Sequence, residues 1–376
     1  MIYLDNGATS YPKPTGVISA GVLALKKYSF NSGRGGYKQS VLSAERIFAV
    51  REKIADMFGF EAQNVSFTKN CTEAINIAIK GSVKKGDRII ISSLEHNAVW
   101  RTVNKLRDDG IAEYDIADFD FDEDICVSNF ESLIKPNTSL IVCLSASNVF
   151  GVLLPVSKIG AMAKKHSIRF VVDGAQSAGL IPLNAQKDNI DILCAPGHKC
   201  LLGSMGTGFI AVKEGITLNT LLEGGTGSNS VNPHQPDFLP DRLEAGTLNN
   251  PGIISLGAGI DFINKNGMDN LYRRELSTAQ RLYDYLSTAR NAYLYCPKPQ
   301  YNHSAPIVSF NYKDYSSEKT AALLAENGIA VRGGLHCAPL AHRHFSTIER
   351  GTVRLCPSSF TTAYECEVFL NTLKKL

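Results

Sequence analysis

Two charged residues stand where apolar runs end. Asp173 closes Phe170-Val171-Val172 and opens Gly174-Ala175-Gln176-Ser177, and Lys199 follows Ala195-Pro196-Gly197-His198. An acid at the carboxyl end of a buried strand, followed by small residues, sits where open α/β sheets bind ligands. Taken singly, the Asp equally caps the next helix and the Lys is a solvated loop charge. Taken together, the two strand ends point to one shared site. Thr68-Lys69-Asn70-Cys71-Thr72-Glu73 adds a strand–turn–helix whose first-turn N–H groups and Thr72 hydroxyl suit an anion, or simply a cap. Cys337 lies in Arg332-Gly333-Gly334-Leu335-His336-Cys337-Ala338-Pro339, a setting of glycines, a His and an Arg. That setting favours an exposed thiolate, the nucleophilic form; an incidental loop cysteine is the other reading.

Pyridoxal 5'-phosphate asks for these parts. It needs a lysine amine for a Schiff base, a carboxylate beside its pyridine nitrogen, and a helix N-terminus or backbone nest for its phosphate. The protonated ring then withdraws electrons from a substrate α-carbon. The Gly-rich tract Gly203-Ser204-Met205-Gly206-Thr207-Gly208 lacks the Gly-Lys-Ser/Thr ending of a nucleotide loop and does not lead into a helix. It reads as close backbone packing beside the Lys199 loop.

The elements that must position these residues follow an alternating pattern. Strand-like runs at 65–68, 88–91, 140–143, 169–172, 192–195 and 208–212 are β-branched and mostly unalternated, as in a sheet covered on both faces. Helical spacing fills 72–79, 98–106 and 156–166. Strand–helix alternation predicts a mostly parallel α/β sheet. After Pro251 the texture changes to helices over 253–263 and 271–286. Strand 306–312, helix 317–326, strands 329–332 and 352–355, and a helix from Thr362 follow.

Composition bounds the rest. With 376 residues, 44% hydrophobic and 20% charged, the chain is an ordinary globular protein of two domains or one large one. A net charge of +3 gives no pull toward nucleic acid or anionic lipid. The nine cysteines are scattered without a Cys-x-x-Cys pair, so neither a disulfide framework nor a metal site is expected. No secretory layout opens the chain and no apolar run is long enough to span a bilayer, so a cytoplasmic protein without a membrane segment is expected.

The motifs, taken in order, resemble the class V, fold-type I pyridoxal-phosphate enzymes, and within them the cysteine desulfurase / selenocysteine lyase group. The stretches that carry the resemblance are Tyr3-Leu4-Asp5-Asn6-Gly7-Ala8-Thr9, Phe67-Thr68 to Ile75-Asn76, Glu95-His96-Asn97 and Ser147-Asn148-Val149-Phe150-Gly151. Asp173 to Gly179, Gly197-His198-Lys199, Arg242 to Thr247 and Arg332 to Pro339 complete them. The resemblance implies an α/β fold with a large, mostly parallel seven-stranded sheet domain and a smaller α+β C-terminal domain. The large cofactor-binding domain would take residues 15–255, and the small one 1–14 plus 256–376 with the cysteine loop.

Carried over by position, the resemblance implies that Lys199 forms the imine with the cofactor and Asp173 pairs with the pyridine nitrogen. Gln176 would hydrogen-bond the phenolic oxygen, His96 stack on the ring, and Asn148 lie near the substrate carboxylate and ring oxygen. Cys71, Thr72 and His198 would hold the phosphate, joined by Thr247 of a neighbouring subunit in a homodimer. Where relatives place a Ser or Thr two residues before the His, this chain has Pro196, so one phosphate hydrogen bond is expected to be missing.

The implied reaction starts with L-cysteine displacing Lys199, whose amine then moves the α-proton. Cys337 attacks the substrate sulfur, leaving a persulfide and L-alanine, with the sulfur passing to an acceptor protein such as an iron–sulfur scaffold. Arg354 would clamp the substrate carboxylate, with Arg332 a second candidate or an interdomain ion pair. Three readings compete: a selenocysteine lyase, another class V aminotransferase or C–S lyase, and a cofactor-binding sulfur-delivery scaffold with little turnover of its own.

Overall fold

A computed structural model describes residues 1–33 and 35–376. The chain opens with β1 (Ile2–Tyr3), α1 (Thr15–Lys27) and α2 (Lys38–Phe58). Alternation follows: β2 (Val65–Thr68), α3 (Cys71–Ser82), β3 (Asp87–Ser92), α4 (Asn97–Asp108), β4 (Ala112–Ala117) and α5 (Glu123–Ser132). It continues with β5 (Thr138–Leu144), α6 (Val156–Lys165), β6 (Arg169–Asp173), β7 (Ile192–Pro196) and β8 (Gly208–Val212). These strands form a seven-stranded sheet of order β2-β8-β7-β6-β5-β3-β4, in which β8 alone runs against the others.

Consecutive strand residues feed two different cores, which is why the runs do not alternate. Ile90, Ile141, Phe170, Val172 and Phe209 join one core with α2, α5 and α6. Ile89, Ile91, Leu140, Val142, Val171 and Ile210 join a second, under α3 and α4. Each fully buried side chain of this size contributes about 1.5–3 kcal/mol. Both faces being dry, the polar ends of the strands are where a site can form.

The outer strand β2 is closed by a buried ion pair. Arg51 and Glu244 meet at 2.5 Å, and Glu244 also accepts the Phe67 N–H. The Arg51 guanidinium lies 4.6 Å over the Phe67 ring. Removing either partner would strand a buried charge, so Glu244 is a structural residue of this segment.

The remaining elements are α7 (Asn250–Asn266), α8 (Met268–Ser287), β9 (Ala292–Leu294), β10 (Val308–Tyr312), α9 (Ser317–Glu326) and β11 (Ile329–Ala330). Then come β12 (Arg332–Gly334), α10 (Pro339–His344), β13 (Thr352–Leu355) and α11 (Ala363–Leu373). A four-stranded antiparallel sheet of order β12-β13-β10-β9 packs Phe310, Val353 and Leu355 against Leu282, Phe369 and Leu373 in a third core. Leu4 belongs to that core, because β1 pairs in parallel with β11.

Several elements differ from expectation. The single strand expected over 329–332 is two strands in different sheets, β11 against β1 and β12 against β13. The expected domain boundary at 255 falls inside α7, whose Ile253, Leu256, Ile260 and Ile263 all enter the large core. Seven of these elements were not anticipated: β1, α1, α2, β4, α5, β9 and α10. No helix among the described residues is long and apolar enough to cross a membrane.

Candidate active site

At the carboxyl ends of β6 and β7 a pocket brings together Cys71, Thr72, His96, Asn148, Asp173, Gln176, His198 and Lys199. Eight of the residues singled out in the sequence thus line one cavity, though they come from five separate segments. Pro196 lines it too.

Asp173 ends β6 and is 3% exposed. Its Oδ1 accepts from the Ala175 N–H at 2.9 Å and from the Cys71 thiol at 3.4 Å. Burial pushes its carboxyl above the ordinary range, with the Ala175 N–H and the Lys199 charge pulling the other way. Lys199 is held below the usual lysine value by burial, which outweighs the attraction of Asp173. Burial thus disfavours both charges in the free pocket. A positive ring nitrogen beside Asp173 would restore the carboxylate.

The Lys199 loop joins β7 to β8 and is tightly closed. The Gly197 N–H bonds Thr207 O at 2.9 Å, and the Gly203 N–H bonds Gly197 O at 2.7 Å. A Cβ at Gly203 would stand 2.8 Å from that same oxygen, so only glycine permits the approach. The Gly-rich tract is packing, as expected.

Asn70 caps α3 by accepting the Glu73 N–H, which leaves the Cys71 and Thr72 N–H groups as first-turn donors. Helix N-termini of this kind suit a phosphate. His96 caps α4: its Nδ1 accepts the Ala98 N–H at 3.0 Å, which places the ring proton on Nε2. Burial, aided by Lys199, lowers His96 to about 4, so the ring is neutral at physiological pH. His198, likewise lowered to about 4 by burial, has Nδ1 3.2 Å from Thr9 Oγ1.

Asn148 is buried, donates from Nδ2 to His336 O at 2.8 Å, and offers its main-chain oxygen to Arg354 Nη1 at 2.9 Å. Asn148 Oδ1 and Arg354 Nε have no partner. Orphaned buried polar atoms beside a pocket are places for a ligand. Gln176 Nε2 donates to Gly7 O at 2.9 Å.

Similar proteins show the family. The family model of class-V aminotransferases matches residues 2–369. The chain belongs to that family. Class-V aminotransferases of the cysteine desulfurase type are pyridoxal-phosphate-dependent enzymes. A "probable cysteine desulfurase" of Methanothermobacter thermautotrophicus is 32% identical, covering 100% of this chain and 94% of the relative. Another, from Pyrococcus abyssi, is 31% identical with the same coverage. The apo structure of a cysteine desulfurase from Thermococcus onnurineus superimposes with a TM-score of 0.92 at 31% identity, covering 100% of this chain and 94% of that one.

Four candidates, Arg354, Arg332, Thr247 and Cys337, are not among the residues lining the pocket. Arg354, in β13 and 2% exposed, carries an ion pair to Asp5 at 2.7 Å. Arg332, half-exposed, pairs with the other oxygen of Asp5 at 3.1 Å. Thr247 is exposed and lines a separate cavity with Asn31, Arg51 and Glu244.

Cys337 is the exposed cysteine, whereas Cys143 and Cys194 are buried as read from their strands. Its expected activation by His336 is corrected by the structure. His336 is 8% exposed, donates from Nε2 to Thr352 O at 2.8 Å, and is lowered by burial to about 3. It is a neutral anchor, not a cationic neighbour. Arg332 is engaged with Asp5.

Three residues near the site had no role assigned from sequence. Asp5 lay within a quoted motif but needs the tertiary bridge to Cys356 to reach Arg354. Glu95 is fully buried, accepts the Leu144 N–H at 2.9 Å and the Ser92 hydroxyl, and is pushed up to about 8 by burial. Lys13 donates to His198 O at 2.8 Å. A lysine amid apolar and hydroxyl neighbours gives no sequence signal for that contact.

Proposed function

We propose that this chain is a cysteine desulfurase that holds pyridoxal 5'-phosphate in the pocket at Lys199. It converts L-cysteine to L-alanine and leaves the sulfur as a persulfide on Cys337. The observation that carries the reading is the tethering of the cysteine loop to the pocket wall. His336 and Cys337 have φ of 49° and 56°, a left-handed pair that side chains disfavour. Asn148 Nδ2 holds His336 O, and the Asn97 N–H holds Cys337 O at 2.7 Å. The exposed thiol is thus presented from a strained turn fixed to two segments that flank His96 and Asn148.

When bound, the cofactor supplies an electron sink for the substrate α-carbon. Asp173 holds the ring nitrogen, Gln176 and Asn148 Oδ1 serve the ring oxygen and substrate, and the neutral His96 covers the ring face. The α3 N-terminus, Thr72 and His198 take the phosphate, joined by Thr247 of a second copy in a homodimer. Lys199, with its proton affinity lowered by burial, moves the α-proton. Arg354 takes the substrate carboxylate on its Nε edge, since Nη1 and Nη2 already serve Asn148 O and Asp5. Arg332 acts through Asp5. The Cys337 sulfur bonds the substrate sulfur as the substrate C–S bond breaks; the carbon fragment takes the proton, and the persulfide waits for an acceptor protein.

The large unit is read as residues 15–255 and the small one as 1–14 plus 256–376, with α7 bridging them. Nine free thiols suit a reducing compartment, and we place the protein in the cytoplasm. The test is purified protein with L-cysteine and a thiol reductant, measuring alanine and sulfide together. Equal yields, abolished in Cys337→Ala while the cofactor's colour is retained, support the proposal. Alanine release at the wild-type rate by that variant contradicts it.

A further inference from the structure

Lys13 stands beside the cofactor lysine's loop without a counterion. Its Nζ donates to His198 O at 2.8 Å and to Ser10 Oγ at 2.7 Å. Among the described residues it has no carboxylate within ion-pair range; both acceptors are neutral oxygens. Holding a partly buried ammonium on uncharged partners is costly, and burial lowers Lys13 to about 8.

The oxygen it grips is unusually crowded with donors. The Ser10 N–H, Ser10 Oγ and Thr9 Oγ1 each lie 3.1 Å from His198 O. A carbonyl has two lone pairs, so these donors compete, and the charged, shortest contact prevails. The whole 9–13 segment is therefore docked on one peptide oxygen, immediately before Lys199. That peptide also orients the His198 ring, through Thr9 Oγ1 at 3.2 Å from Nδ1.

We propose that Lys13 is a positioning residue: its ammonium clamps the His198–Lys199 peptide so that the lysine amine and the His198 ring meet the cofactor together. The inference rests on the assignment of Lys199 as the cofactor lysine. It also answers the loss at Pro196, because a turn short of one phosphate hydrogen bond depends more on how firmly its remaining donors are held. Fixing donors in advance removes ordering cost from binding.

The groups that face Lys13 are few. His198 is neutral over the working range, and burial raises Cys200 so that its thiol stays protonated. Lys199 lies on the same loop. Lys13 therefore changes charge near pH 8 beside groups that keep theirs, Lys199 excepted, whose amine burial also lowers. A protonated Lys13 favours binding, so its contribution to cofactor affinity declines as pH rises past about 8. Lys199 contributes an opposite trend, since its amine must be neutral to react.

The experiment compares wild type, Lys13→Met and Lys13→Arg for the dissociation constant of pyridoxal 5'-phosphate across pH 7 to about 9.5, a range that brackets the Lys13 transition. Circular dichroism of the apo forms checks folding. Loss of one hydrogen bond to a charged group predicts about tenfold weaker binding in Lys13→Met, largely restored in Lys13→Arg. Because Arg stays charged, the ratio of wild-type to Lys13→Arg dissociation constants should grow with pH. Wild-type affinity in Lys13→Met, or a ratio independent of pH, overturns the proposal. Borohydride reduction in parallel separates the failures: labelled Lys199 with unchanged affinity sinks the Lys13 role alone, and unlabelled Lys199 sinks the assignment beneath it.

Discussion

The carboxylate of Asp5 holds the guanidinium of Arg354 at 2.7 Å, so the arginine assigned to the substrate carboxylate is already half-neutralised before substrate arrives. The pair is closely fitted. A Cβ on Gly7 would stand 2.9 Å from Arg354 Cζ, which explains a glycine two residues after the acid. Asp5 also takes Arg332, the residue directly opposite Arg354 across β12 and β13. One acid thus joins the N-terminal segment to both strands.

Asp5→Asn should separate two effects. Asn keeps an acceptor for Arg354 but removes the competing charge, so KM for L-cysteine should fall several-fold while kcat changes little. The same change leaves a buried guanidinium without its counterion and should destabilise the fold by about 3 kcal/mol. Steady-state kinetics with urea denaturation checks both signs.

Pro196 has neither the hydroxyl nor the N–H that a phosphate at this point would use, and it lines the pocket. Pro196→Ser should tighten cofactor binding by about tenfold, the value of one charge-assisted hydrogen bond. Equilibrium dialysis of the cofactor against both proteins measures it, and equal affinities would mean that another donor already fills the gap.

Glu95 gives the pH dependence of stability a definite sign. Burial pushes its carboxyl up to about 8 in the fold, above the 4.5 of an exposed glutamate. A raised acid stabilises the fold fully below its unfolded value, and that contribution is lost as pH climbs through the folded one. Stability of the apo protein should therefore decline between pH 4.5 and about 8. Glu95→Gln keeps an acceptor for Leu144 and Ser92, and should flatten the decline in the unfolding free energy measured by urea titration by an amount on the order of a few kcal/mol at its upper end.

How much was legible in the sequence depended on where each residue's environment is decided. Strands such as 140–143 and 169–172 announced themselves because both of their faces are dry. The outer strand β4 was missed because Glu113 and Asp115 interrupt its apolar run, one face being open. Helices α1 and α2 were missed because Ile18, Val22, Leu25, Val41 and Phe48 are exposed apolar residues that blur the helical period. Asp173, Lys199 and the other pocket residues were legible as strand-end and helix-start chemistry plus a family resemblance. The roles of Asp5 and Lys13 were not, because each acts on an oxygen or guanidinium brought near only by tertiary closure. His336 was misread for the same reason: adjacency to Cys337 in sequence says nothing about a ring turned inward to Thr352.

Sodium borohydride reduction of the yellow, freshly purified protein, followed by peptide mapping, tests the centre of all this most directly. The pyridoxyl group should be found on Lys199, in the peptide that also contains His198 and Cys200. Its recovery on Lys13 or any other lysine, with Lys199 unmodified, would contradict the assignment.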